Sequence, residues 1–165
     1  MRHQSPVQCF PSVLLASAVL GLGSIGGLGG CTGETESSTV VPVDADDAAM
    51  NAAMERGAET VPWFVEHWDA DPARTASIKV GFPTTDDTME YIWFSPLSYA
   101  DGVFAARCGN DPVSVEGLAL GDLRQIPTDD IVDWMIMEGQ TWYGGYTVRV
   151  FPEMNDGTIT FKDPD

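Results

Sequence analysis

An apolar, glycine-rich segment at residues 10–28 constrains this chain most. Its pattern decides whether the chain begins with a cleaved leader, and therefore which residues remain to build the fold. Arg2 lies before it in a stretch without acids, and small residues follow it up to Cys31. A basic start, an apolar middle and small residues before the cut are typical of a secretory signal. Pro11 and the many glycines weaken the segment as a permanent membrane helix. Residues 1–30 are therefore predicted to form a signal peptide.

The sequence "LGGC" at 28–31 resembles the lipobox of bacterial lipoproteins, in which small residues precede an invariant cysteine. The resemblance implies that the Cys31 thiol receives a diacylglycerol and that the peptide is cut before it. An uncleaved anchor helix and a simple secreted protein are the two alternatives. Several acyl chains would hold the protein firmly in the membrane, since each buried CH₂ contributes about 0.8 kcal/mol to membrane binding. Thr32 rather than Asp follows the cysteine, which by resemblance implies the periplasmic face of the outer membrane.

The charge balance argues against two classes of binding surface. The chain holds 25 Asp and Glu against 8 Lys and Arg, and the bases are scattered. A surface that follows nucleic-acid phosphates needs clustered Lys and Arg, and docking on anionic lipid needs similar clusters. We therefore expect no nucleic-acid partner, and membrane attachment through the N-terminal lipid anchor.

Beyond the signal peptide, the sequence predicts a tether followed by one domain. Residues 31–43 are polar and acidic without any hydrophobic period, which is typical of a flexible tether. Residues 44–165 are predicted to form a single domain. Apolar residues recur at helical spacing over 44–68, and acids at the start of this segment suit the positive end of a helix dipole. Pro62 is expected to kink this helix or to begin a second short one.

The remainder of the domain has the pattern of short strands and turns. Alternation at 78–82 and the aromatic-rich run "MEYIWF" at 89–94 predict half-buried strands. Further predicted features are strands at 103–108, 123–126, 134–137 and 146–150, a short connection at 127–133, and a last hairpin turned by "NDG" at 155–157. The predicted fold class is α+β, with an N-terminal kinked helix packed on a small bent antiparallel β-sheet.

Cysteine content bears on the redox chemistry of the mature chain. Cys9 would leave with the signal and Cys31 would be acylated, so Cys108 would have no partner for an internal disulfide. The Cys108 thiol is expected to be buried as a small hydrophobe. The alternative is an exposed thiol that pairs with another protein.

No pattern of catalytic or metal-binding residues stands out, so no catalytic residue, metal or cofactor is predicted. The histidines and cysteines lack the spacing of a zinc site. No spacing supports a dyad of His67 with Cys108. Asp130 and Asp133 are the alternative acid–base candidates, since two acids in different environments can divide the roles of acid and base. Acids in a turn before a strand more often bind backbone amides.

The run "TWYGGY" at 141–146 offers a candidate binding surface. Aromatic rings anchor interfaces, and glycines let another chain or ligand approach the backbone. The alternative is that the glycines bend a strand and the aromatic rings fill the core. The guanidinium of Arg149, the next base along the chain, either pairs with an acid such as Asp133 or binds an anionic group. The candidate surface comprises Trp142, Tyr143, Gly144, Gly145 and Arg149, and is called the 142–149 surface below.

Several runs of residues together resemble the YegJ-like bacterial family, a domain of unknown function. They are "EYIWF" at 90–94, "NDPV" at 110–113, "GLALGD" at 117–122, "IPTDDIVDWMI" at 126–136 and "GGYTVR" at 144–149. The resemblance implies a small α+β domain and carries no established activity, cofactor or catalytic residue. The expected role is a non-enzymatic binding or accessory module for a protein or envelope component such as a glycan. The alternative is a hydrolase-like enzyme that uses Asp130 and Asp133.

Overall fold

The structure, a computed structural model, describes residues 47–85 and 88–165, apart from the side chain of Asn155. The predicted signal peptide, Cys31 and the predicted tether lie outside the described residues. The helices are α1 (Ala48–Glu59), α2 (Val61–His67) and α3 (Tyr146–Arg149). The strands are β1 (Thr75–Pro83), β2 (Met89–Ala100), β3 (Val103–Cys108), β4 (Leu123–Pro127), β5 (Ile131–Glu138), β6 (Thr141–Gly144) and β7 (Thr160–Lys162). The predicted α+β fold class is confirmed.

The N-terminal helical region consists of two helices. The Asp47 carboxylate accepts hydrogen bonds from the first free N–H groups of α1, those of Ala49 at 2.9 Å and Met50 at 3.1 Å, which caps the helix. The chain leaves α1 at Thr60, and Pro62 lies in the first turn of α2, where a missing N–H breaks no helical hydrogen bond. Pro62 therefore begins a second short helix, the second of the two predicted outcomes. Within the described ranges, neither length nor apolarity equips any helix to cross a bilayer.

The seven strands form one sheet in the order β4-β3-β2-β1-β5-β6-β7. Neighbouring strands are antiparallel, as predicted, except that β7 runs parallel to β6. The predicted hairpin at 155–157 is therefore wrong. Parallel neighbours cannot be joined by a tight hairpin, and the chain passes instead through a 3₁₀ turn at Pro152–Asn155 before it returns as β7.

The register of the sheet shifts at two places, between Lys79 and Val80 where β1 pairs with β5, and within β2. Residues 89–94 of this strand pair with β1 and residues 94–100 pair with β3, with an extra residue, Leu97, between the pairs of Pro96 and Ser98. An extra residue of this kind is a bulge, which bends a strand. In a flat sheet β4 and β5 would lie about 19 Å apart, at four strand spacings. Residues 127 to 131 can span at most about 15 Å, so the sheet must curl to bring them together.

The core lies between the helices and the sheet. The ring of Phe64 is fully buried, with its centroid 5.6 Å from that of Phe104 and 5.4 Å from that of Trp134. Gly57 lets α1 approach β5 closely, because a Cβ there would lie 2.4 Å from the carbonyl oxygen of Val132. Cys108 is 1% exposed, so the expectation of a buried thiol is confirmed.

Candidate functional site

The two sequence runs that carry the family resemblance most strongly, "IVDWMI" and "GGYTVR", meet in the fold. The first lies in β5, and the second runs from the end of β6 into α3. The predicted connection at 127–133 is shorter than expected, because only Thr128–Asp130 form a 3₁₀ turn and β5 begins at Ile131. Asp133 therefore lies within a strand rather than in a turn, and it is fully buried.

The carboxylate of Asp133 accepts four hydrogen bonds. Its Oδ1 accepts from the backbone N–H of Trp134 at 2.8 Å and of Tyr146 at 3.2 Å. Its Oδ2 accepts from the backbone N–H of Thr147 at 2.8 Å and from the Thr147 hydroxyl at 2.6 Å. Burial raises the pKa of Asp133, and the hydrogen bonds from Thr147 and Trp134 oppose that rise. Since donors occupy both oxygens, the geometry suits a carboxylate that only accepts.

These contacts explain why the predicted strand at 146–150 is wrong. Tyr146–Arg149 form the short helix α3. Gly144 and Gly145, at φ 69° and 67°, turn the chain out of the sheet directly after β6. Asp133 then accepts hydrogen bonds from the backbone N–H groups of the first residues of α3. A helix-capping side chain does the same, although it usually lies next to its helix in the sequence. This contact outweighs the preference of Tyr, Thr and Val for strands, which depends strongly on context.

Lys79, which is half-buried, completes the polar cluster around Asp133. Its Nζ donates to the Thr147 hydroxyl oxygen at 3.0 Å and lies 5.3 Å from the Trp93 ring centroid. Burial lowers the pKa of Lys79, and the charge of Asp133 opposes that change. Lys79, Asp133, Tyr146 and Thr147 are called the Asp133 network below. The sequence analysis missed Lys79 and Thr147, because the contact joins residues 68 positions apart, and the run "GGYTVR" that contains Thr147 assigns no role to this side chain.

Trp134 fills the space next to Gly144. A Cβ on Gly144 would lie 2.4 Å from the Trp134 carbonyl oxygen and 2.7 Å from its ring. The Trp134 indole N–H donates to the Thr60 hydroxyl at 3.0 Å, which connects β5 to the end of α1. Gly144 thus admits a close approach by a side chain of the same molecule rather than by another chain or a ligand.

Arg149 pairs with an acid, as one of the two sequence interpretations expects, and that acid is Asp163 rather than Asp133. Arg149 Nη1 lies 2.6 Å from Asp163 Oδ1. Its Nε and Nη2 donate to the Gly144 carbonyl at 3.0 and 2.8 Å, and Nη2 also donates to the Lys162 carbonyl at 2.8 Å. The guanidinium carbon lies 5.1 Å from the Phe161 ring centroid. Arg149 therefore connects the end of β6 to β7.

Trp142 and Tyr143 are both half-buried and point to opposite faces of the sheet, as neighbouring strand residues do. The Trp142 ring meets Phe161 edge-on, with centroids 5.9 Å apart. The Tyr143 ring stacks near Trp63 of α2 at 5.8 Å. The 142–149 surface is thus divided between a face toward the helices and an edge that β7 covers.

The acid–base candidates lie in different environments. Asp129 and Asp130 are exposed on the 3₁₀ turn and border a cleft of about 440 Å³ together with Arg124, and Asp133 is not part of its lining. The described residues hold no group of three or more His, Cys, Asp or Glu side chains arranged to hold a metal ion.

The His67 and Cys108 side chains each have a backbone partner. Nδ1 of His67 donates to the Trp63 carbonyl at 2.7 Å, and the Cys108 thiol donates to the Asn110 carbonyl at 3.2 Å. Burial raises the pKa of Cys108, which disfavours the thiolate form that a nucleophile needs.

Comparison with known proteins confirms the family resemblance. Residues 47–157 match a family described as an uncharacterized protein conserved in bacteria, DUF2314. The chain is 33% identical over 113 residues to the uncharacterized protein YegJ of Escherichia coli K12, which covers 68% of this chain and 72% of YegJ. It is 27% identical over 122 residues to a putative ankyrin repeat protein of Neisseria meningitidis serogroup B, which covers 68% of this chain and 48% of that protein. No solved structure matches this chain. The chain belongs to the DUF2314 family of bacterial proteins.

Proposed function

We propose that this protein is a non-enzymatic binding or accessory module of the bacterial cell envelope. In this proposal, the 142–149 surface holds a protein or an envelope component such as a glycan. An acylated Cys31 anchors the chain to the periplasmic face of the outer membrane, and residues 31–43 connect that anchor to the domain. The partner is expected to be neither nucleic acid nor a cofactor.

The difference in exposure between the two sets of candidate residues supports this proposal most. Trp142 and Arg149 remain partly exposed beside the sheet edge, with the Arg149 side chain 23% exposed. Asp133, which the enzyme alternative needs, is 0% exposed and accepts four hydrogen bonds. A general acid or base must come within hydrogen-bonding reach of its substrate. Aromatic and arginine side chains that keep part of their surface exposed are better suited to recognition.

Affinity capture with matched variants tests the proposal. The full chain would be immobilised and exposed to detergent-solubilised envelope of its own bacterium, with Trp142→Ala as the test variant and Asp130→Asn as the control. We expect a specific protein or glycan that wild type and Asp130→Asn retain and that Trp142→Ala loses, while thermal unfolding shows that all three are folded at the temperature of the capture. Equal retention by Trp142→Ala, or a hydrolytic activity that Asp130→Asn abolishes, would contradict the proposal.

A further inference from the structure

We propose that the edge of β6 is a docking site for an extended acidic peptide, in which an aromatic residue is followed two positions later by an acid. β7 of this chain occupies that site when no partner is bound. This inference rests on the proposed function, because it names the chemistry of a partner for the 142–149 surface.

The backbone of β6 already holds an extended segment. β7 pairs with β6 in parallel, with Trp142 opposite Phe161 and Tyr143 opposite Lys162. The Thr160 N–H donates to the Gln140 carbonyl at 2.8 Å. Backbone hydrogen bonds of this kind are open to any extended segment, and addition of a strand to a sheet edge is a recurring mode of peptide recognition.

The side chain of Phe161 in β7 and that of Asp163, the residue after β7, indicate the preferred peptide. The Phe161 ring lies against Trp142 and near the Arg149 guanidinium, whose carbon is 5.1 Å from the ring centroid. Asp163 pairs with the same guanidinium at 2.6 Å. Residues two positions apart lie on the same side of an extended chain. Arg149 therefore contacts an aromatic residue and the acid two positions later at the same time.

The negative charge of the whole molecule makes Arg149 important for the binding of an acidic peptide. The chain carries a formal net charge of −17, which repels acidic peptides in general. An acidic peptide therefore needs a specific cation, and Arg149 supplies one at the end of β6. Docking that depends on this ion pair is expected to weaken as salt is added, because the Asp163 side chain in the observed pair is 56% exposed.

β7 is suited to exchange with a partner. It has only three residues, of which Thr160 and Lys162 are exposed. Short edge segments with little burial belong to the parts of a protein that open most readily.

Peptide binding to the full chain tests the inference. The probe is a fluorescently labelled peptide with the sequence of residues 158–165, TITFKDPD. The double variant Phe161→Ala, Asp163→Asn removes both side chains by which β7 competes. We expect this variant to bind the probe at least about tenfold more tightly than wild type by fluorescence anisotropy, since a tethered competitor acts at an effective concentration on the order of millimolar.

Three controls make the result specific. The peptide TITAKNPD should bind neither protein, and adding Trp142→Ala to the double variant should abolish binding of TITFKDPD. Thr160→Pro is a second way to release β7, because it removes the N–H that bonds to Gln140, and it should also increase probe binding. If both releasing variants fold, as thermal unfolding reports, and neither binds the probe, the inference is overturned. Equal binding of the two peptides would also overturn it.

The outcome separates this inference from the proposed function. An envelope partner captured through Trp142, with no binding of the probe, would overturn peptide docking and leave the binding module standing. Probe binding without any captured envelope partner would support the docking site and contradict the envelope role.

Discussion

At the scale of single residues, Asp133 connects β5 to the start of α3. It lies in β5, and its four hydrogen bonds fix where the chain turns out of β6 and starts α3. The sequence marked this acid as unusual only through its place in a family run and its nearness to Asp130. Its structural role could not be predicted, because the groups that bind it lie up to 14 positions further along the chain. A buried carboxylate with satisfied oxygens stabilises a fold only while its partners remain in place.

Asp133→Asn is expected to destabilise the protein although the two side chains have nearly the same shape. The amide NH₂ would face N–H or O–H donors that now bind an oxygen, and each buried donor left without an acceptor costs about 1–3 kcal/mol. Urea unfolding followed by circular dichroism measures the change. Asp130→Asn is the control, since its side chain is exposed, and a surface substitution is expected to stay within about 0.5 kcal/mol. Equal stability of the two variants would argue against the Asp133 network.

Lys79 should make a contribution to the free energy of unfolding that rises with pH in the alkaline range. Burial lowers the pKa of Lys79 in the folded state below its ordinary value of 10.5. Between those two pKa values the unfolded chain binds more protons, so the contribution of Lys79 to the free energy of unfolding rises with pH. The difference in this free energy between wild type and Lys79→Met should therefore increase as the pH approaches 10.5. A difference that stays constant or falls over that range would contradict the burial of this ammonium.

At the scale of elements, the sequence predicted what local pattern decides and failed where distant contacts decide. Alternating residues and turn signals predicted β1 to β5, and the capping acids and Pro62 predicted a helical N-terminal region that Pro62 either kinks or divides. The segment 146–150 has the composition of a strand, yet Asp133 and two glycines with positive φ make it a helix. β7 was expected in a hairpin, yet it pairs with β6. In both cases the deciding partner lies outside the segment itself.

Gly144→Ala should destabilise the protein more than Gly139→Ala. Both glycines have positive φ, 69° and 58°, so both substitutions carry the left-handed strain of about 1–2 kcal/mol that a Cβ brings. Only at Gly144 would the new Cβ meet Trp134, at 2.4 Å from its carbonyl oxygen, whereas nothing lies within 4 Å at Gly139. Thermal unfolding of both variants measures the difference. Equal losses would mean that Trp134 does not require a glycine at position 144.

At the scale of the whole molecule, the sequence predicts a signal peptide, a tether and one domain. The α+β domain was predictable, because helical and strand periodicities change near residue 70. The curl of the sheet was not, because it depends on a bulge at Leu97 and on the three-residue turn between β4 and β5. Function was the least predictable property, since partners are set by a surface that only the fold assembles.

Cys31→Ala tests the proposed membrane attachment. If Cys31 receives a lipid and marks the cleavage site, the variant should accumulate as a heavier, uncleaved precursor without acyl mass. Intact-mass spectrometry of protein from membrane fractions measures both changes. A wild-type protein that begins at Met1 and carries no acyl group would contradict the lipoprotein proposal.

Cross-linking inside living cells tests the central claim, recognition at the β6 edge, most directly. A photoreactive amino acid would replace Gln140, which is exposed beside β6, or Asp130, which is exposed on the distant 3₁₀ turn. We predict a discrete cross-linked product with an envelope component from position 140, weakened when Trp142→Ala is added, and none from position 130. Products from position 130 alone, or a product from position 140 that Trp142→Ala leaves unchanged, would contradict a binding module that works through this edge.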